Sequence, residues 1–197
     1  MANCRPFSLK IMQILYSQKI DRDIHDEVNN MGPKLGAIFG FSFPTVQFDE
    51  KNISRAQKIA KQATTNDSLD ENKAGEILKK IYGVRLPPIT VYINTTPFST
   101  WNIDEHYISI SIDRFPDQVF SSFCHEANHY LYDTLYGTKK YQDTEIKETI
   151  TILNTAFGIK DRGWHALEDA RQAVWNKYEE TRDFAKAIER ARVTLAR

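Results

Sequence analysis

Residues 106–112, His-Tyr-Ile-Ser-Ile-Ser-Ile, alternate strictly, and a few positions later the apolar pattern changes to a helical period. The alternation puts Ile108, Ile110 and Ile112 on one face of a strand and Ser109 and Ser111 on the other. Asp113 to Pro116 then hands the chain to a helix of about twenty residues ending near Tyr136-Gly137, with Pro116 suited to its first turn. Val119, Phe120, Phe123, Ala127 and Leu131 give that helix a face to bury. A strand that delivers the chain straight into a long amphipathic helix is the constraint around which the rest must be arranged.

Around this unit the sequence predicts an α+β fold with a small central sheet and helices on both sides of it in sequence. Before it, Ser8 is expected to cap a helix through Leu15, and a short polar helix covers 22–30 until the breaker Met31-Gly32-Pro33. The stretch 36–48 reads as extended, with Phe39, Phe41 and Phe43 at period two. Helices follow at 52–64 and 70–82, the latter closed by Gly83. Pro87-Pro88 opens the β-branched strand 89–93, and further helices are expected at 143–157, 165–180 and 182–196. Residues 1–85 form a mainly helical region, a subdomain or a cleft wall, and 86–197 the chemistry-bearing region, together one compact domain.

Twenty-six basic residues balance twenty-six acidic ones among 197, which removes the basic footprint of a nucleic-acid binder. No apolar run approaches the length of a membrane span, and no signal peptide is read at the start of the chain. Cys4 and Cys124 are too few for a disulfide framework, so a reducing cytoplasm is the expected compartment.

The chemistry sits inside the long helix, in Cys124-His125-Glu126-Ala127-Asn128-His129. Positions i and i+4 share a helix face one turn apart, so His125 and His129 can present two imidazole nitrogens to one metal ion. Glu126 is offset from both around the helix and can reach a water without becoming a ligand, as a general base must. Cys124 points about a hundred degrees away from the imidazoles and packs as a small apolar residue.

With this His-Glu-x-x-His helix following a strand, residues 87–160 resemble the zincin metallopeptidases. The resemblance implies a small, mainly antiparallel sheet whose edge strand precedes the metal helix, a bound zinc ion, peptide or protein substrates and hydrolysis by an activated water. No third histidine follows His129 within a few residues, since the stretch from Tyr130 to Gly137 holds none, which argues against a metzincin. A glutamate on the next helix resembles the gluzincin arrangement instead, and both Glu145 and Glu148 are available there. Face counting favours Glu145, while the family-like pattern of Thr149, Ile152 and Leu153 favours Glu148, the residue chosen as third ligand. The acid that in thermolysin-like chains supports a metal-bound imidazole is replaced by Ile152, so Thr149, Asn154 or a backbone carbonyl must serve.

An oxyanion donor is also needed, and His165 is the candidate, with Tyr130, Tyr136 and Tyr141 as rivals. The strand 106–112 is expected to lie along the cleft and pair with an extended substrate. His106 could line that cleft, and His25 is expected on a surface helix; neither is assigned a role. The competing reading is a non-catalytic regulatory or interaction protein that keeps a metal-stabilised zincin-like core. The sequence does not specify a side-chain preference or an oligomeric state.

Overall fold

The computed structural model describes residues 14–40, 42, 45–65, 69–161 and 163–195. Among them are seven α-helices and four strands, an α+β arrangement. The strands are β1 (Ile14–Tyr16), β2 (Thr90–Asn94), β3 (Thr100–Asn102) and β4 (Tyr107–Ser111), in the order β1-β2-β4-β3. β1 pairs parallel to β2, β2 parallel to β4, and only β3 runs antiparallel, against β4.

The expectation of a mainly antiparallel sheet is therefore corrected: the sheet is mixed, with parallel pairs predominating. Helices separate β1 from β2, and after β2 the chain goes to the sheet edge as β3 before returning as β4 between its two predecessors. Both routes are crossovers, which parallel neighbours require.

β4 is paired on both edges and covered on both faces, so Ser109 and Ser111, on the side opposite the isoleucines, are buried as well. Asn94 Nδ2 donates to Ser109 Oγ at 2.8 Å and Ser111 Oγ donates to the Thr96 carbonyl at 2.5 Å, so these hydroxyls are satisfied inside the protein. Val91, Ile93, Ile108 and Ile110 form the apolar centre of the sheet.

The helices are α1 (Gln18–Phe39), α2 (Glu50–Thr65), α3 (Glu71–Tyr82), α4 (Val119–Tyr136), α5 (Thr144–Ile150), α6 (Glu168–Thr181) and α7 (Phe184–Leu195). Three expectations fail at the start of the chain. Ile14–Tyr16 is a strand rather than the end of a helix, because its short apolar run finds β2 as a partner; Ser8 lies outside the described residues. α1 continues through Met31-Gly32-Pro33. A proline ring clashes with the Cβ of the residue before it, and Gly32 has none. Gly36 to Phe39 belong to this same helix, which stops where Gly40 takes φ 74°; Phe41 and Phe43 lie outside the described residues.

α2 packs on β1 and β2, and α4 on β3 and β4. β1 and α1 thus join the region 1–85 to the same sheet that carries the long helix. The expected helix at 143–157 is α5 followed by a 3-10 segment, Thr151–Phe157, and the one at 165–180 begins with a 3-10 turn, His165–Leu167, before α6. Pro116 precedes α4 in a turn rather than opening its first turn. No described helix is long and apolar enough to cross a membrane.

Candidate metal centre

α4 buries Val119, Phe123, Ala127 and Leu131 in the core, and this anchors the face that carries the histidines. His125 Nε2 and His129 Nε2 lie 2.9 Å apart. Glu148 comes in from α5, its Oε2 at 3.4 Å from His125 Nε2 and its Oε1 at 3.3 Å from His129 Nε2. The three side chains form a group that could hold a metal ion. Glu145 is not in it and instead lines a separate surface groove with Glu189 and Arg192. Cys124 is fully buried, and burial pushes its thiol up to about 12, the behaviour of a packed apolar residue rather than a ligand.

The electrostatics of the three groups belong to one system. Burial opposes a charge on His125, yet the carboxylates of Asp161 and Glu148 outweigh it and hold the imidazole pKa well above its ordinary value. Burial also opposes ionisation of Glu148, and His125 and His129 overcome it, so its carboxyl titrates far below the usual range. Glu148 Oε2 and His129 Nδ1 are buried without a hydrogen-bond partner. Two imidazole Nε2 atoms and a carboxylate brought together are a donor set that could take a cation, while His129 Nδ1, across the ring from it, has no hydrogen bond.

Glu126 is buried, 6% exposed, and shares with His125 and Glu148 the wall of a cavity of about 540 Å³. Burial raises its pKa, partly offset by the two neighbouring histidines, which moves it in the direction a proton acceptor working near neutrality requires. The cavity continues between α1 and α4. Met31, Leu35 and Phe39 line it from α1, Phe98 and Trp101 from the β3 side, and Trp164 stacks on Phe39 at 4.7 Å between ring centroids.

The support of His125 comes from a residue outside the expected set. Asp161 Oδ1 accepts from His125 Nδ1 at 3.0 Å, which turns the Nε2 edge of the ring toward His129 and Glu148. Thr149, Asn154 and a backbone carbonyl, the partners expected from sequence, do not serve His125: the Thr149 hydroxyl has no hydrogen-bond partner and Asn154 Oδ1 accepts from Asn128 Nδ2 at 3.0 Å. Asp161 stands in Lys160-Asp161-Arg162-Gly163, which reads as an ordinary turn and carries no signal of this task. On the other side, the Trp101 ring lies 4.6 Å from that of His129, and Trp101 Nε1 donates to Asp133 Oδ2 at 2.8 Å.

Other expectations separate from the site. His165 is exposed on its 3-10 turn and is not among the residues lining the cavity; its neighbour Trp164 is. Of the rival tyrosines, only Tyr141 lines the cavity, while the Tyr130 hydroxyl lies 2.8 Å from His106 Nδ1 and Tyr136 is exposed. Burial and the Glu27 carboxylate raise the Tyr141 pKa, so its hydroxyl keeps its proton and remains a donor. His106 is exposed and outside the cavity lining. His25, expected at the surface, is buried, its Nε2 at 2.9 Å from Thr95 Oγ1, which in turn donates to Asp21 Oδ2 at 2.8 Å. Strand β4, expected to pair with substrate, already has partners on both edges; β3 is the sheet-edge strand beside the cavity.

Compared with models of protein families, with curated proteins and with solved structures, the chain matches none.

Proposed function

We propose that this chain is a zinc-dependent metallopeptidase of gluzincin type, with His125, His129 and Glu148 as the ligands and Glu126 as general base. The observation that carries the reading is the convergence of two imidazole Nε2 atoms, 2.9 Å apart, on the Glu148 carboxylate, whose two oxygens lie 3.4 Å from His125 and 3.3 Å from His129, beside a buried glutamate on a cavity wall. Ligands about 2.0–2.1 Å from a tetrahedral zinc ion stand about 3.3–3.4 Å from one another, so little movement separates this donor set from a coordinating one. Two imidazoles and one carboxylate leave a fourth position for water or substrate, and the cavity beside them has room for both.

Zinc, when bound, supplies Lewis acidity toward a water and toward the carbonyl of the substrate. Glu126 takes the proton of the attacking water and returns it to the leaving amine. Asp161 fixes the tautomer of His125, and Tyr141, the candidate tyrosine that lines the cavity, would serve the oxyanion by releasing its hydroxyl from Glu27. The edge of β3 offers main-chain hydrogen bonds to an extended peptide, and the apolar wall of Met31, Leu35 and Phe39 favours a substrate with a large apolar side chain. A non-catalytic core with a purely structural ion has no use for a roomy cavity at the ligands, which favours the peptidase reading over it.

The test is Glu126→Gln, assayed on fluorogenic peptides carrying leucine or phenylalanine beside the cleaved bond. Turnover is expected to fall by about two to four orders of magnitude with zinc content unchanged. Equal turnover in the two proteins would remove Glu126 from the reaction and the peptidase assignment with it.

A further inference from the structure

Arg171 is a buried arginine on α6, 2% exposed, outside the three-residue donor group and far from it in sequence. Burying a guanidinium costs several kcal/mol unless its donors are matched, so the partners it holds are informative. Its Nη1 donates to the backbone carbonyl of Glu148 at 2.6 Å and to Thr151 Oγ1 at 2.8 Å. Its Nη2 lies 3.5 Å from both the backbone carbonyl and Oδ2 of Asp161. The other oxygen of that carboxylate is the one that accepts from His125 Nδ1. One planar cation thus grips the backbone of the third ligand and the carboxylate that orients the first.

The chain makes room for this grip at a specific place. A Cβ on Gly163 would lie 2.1 Å from Arg171 Nε and 2.2 Å from Cζ, inside any permitted contact. The far end of a flexible side chain could ordinarily swing aside, but this guanidinium is held by Glu148, Thr151 and Asp161 together. Any side chain at Gly163 would therefore push Arg171 off its partners. The glycine is there for the close approach of the arginine, since its backbone is not in the left-handed region.

We infer that Arg171, seated against Gly163, is a positioning residue of the metal centre that locks Glu148 and the Asp161–His125 pair in mutual register. It rests on the reading of His125, His129 and Glu148 as metal ligands. Lysine cannot reproduce the grip, because one ammonium cannot span Glu148 and Asp161 as a fork of donors does.

The experiment uses the full chain, with zinc alone and then cobalt as probes. The zinc dissociation constant is measured by competition with a chromogenic chelator for wild type, Arg171→Lys and Gly163→Ala. The visible absorption of the cobalt-loaded proteins and the thermal unfolding of the metal-free proteins are recorded in parallel. Gly163→Ala leaves every charged group in place, so it keeps the test available if the arginine variant does not fold. The expected result is a loss of about 10–100-fold in zinc affinity in the folded variants, the usual worth of an outer-shell partner. A changed cobalt spectrum should accompany it. A merely structural role would lower the unfolding temperature of the metal-free protein and leave the spectrum of the folded protein unaltered. Zinc affinity and cobalt spectrum equal to wild type would overturn this inference alone. Wild-type protein that takes up no metal would overturn the metal reading beneath it as well.

Discussion

Two buried clusters of charge meet where the Trp101 ring lies against His129, and they are built differently. In the first, Asp133 accepts from Lys147 Nζ at 2.8 Å, Thr138 Oγ1 at 2.5 Å and Trp101 Nε1 at 2.8 Å. Lys147 donates further to the carbonyls of Lys139 and Lys140, at 3.2 and 2.6 Å. Its three protons are all placed, and neither side chain is exposed to solvent. In the second, two imidazole nitrogens and a carboxylate converge while Glu148 Oε2, in ion-pair range of His125, and His129 Nδ1 have no hydrogen bond. The first cluster is complete as it stands. The second leaves buried polar atoms without hydrogen bonds, and its imidazoles and carboxylate stabilise one another chiefly by charge. Burial alone does not distinguish a structural network from a functional one; the balance of donors and acceptors does.

If the contrast holds, damage to the completed cluster should appear in folding and damage to the incomplete one in metal binding. The largest effect is expected from Asp133→Ala, which strands Lys147 as a buried unpaired cation. Loss of about 3–5 kcal/mol of stability is expected, read from denaturant unfolding of the metal-free protein. A variant as stable as wild type would contradict the structural assignment. Asp161→Asn is expected to act the other way, keeping the shape and removing the charge that orients His125. Zinc affinity should drop by about 10–100-fold, near 1.4–2.7 kcal/mol. Unaltered affinity in chelator competition would detach Asp161 from the site.

The smallest effect is a pH dependence in the protein stripped of metal. His125 has a raised pKa in the folded protein, so its contribution is fully present below the unfolded value of about 6.5 and is lost as pH rises through the folded value. Glu148 and Asp161 are depressed, so theirs is present above about 4.5 and is lost as pH falls through the folded values, about 2 for Asp161. The metal-free protein should therefore be most stable between about pH 4.5 and 6.5, whereas zinc, which competes with protons for the imidazoles, should move the optimum upward. Thermal melts in chelator that climb steadily from pH 6 to 8 would contradict the shared role of these groups.

The sequence made parts of this contrast legible and hid others for physical reasons. A helical i, i+4 pair is a local geometry, so His125 and His129 meet in space as they do on paper, and the strand before them is where its alternation puts it. Glu148 was separable from Glu145 only by a family-like pattern, because one turn of helix leaves both near the inward arc. Asp161 meets His125 and Arg171 meets Glu148 only through the tertiary fold, and no local spacing marks either residue for that contact. β3 spans only Thr100–Asn102, too short to show a period, and without it the place of β4 inside the sheet could not be read. Pro33 misled for the opposite reason: the rule that a proline ends a helix is local, and Gly32 relaxes it.

The central claim is that His125, His129 and Glu148 hold one divalent ion, and metal content reads it directly. Purified, dialysed wild-type protein and His129→Ala, analysed by plasma mass spectrometry alongside a circular dichroism check of fold, should differ in a single respect. Wild type is expected to carry near-stoichiometric zinc and the variant almost none, with the same helical content. Wild type without metal after zinc supplementation, or a variant that keeps the full complement, would contradict the account.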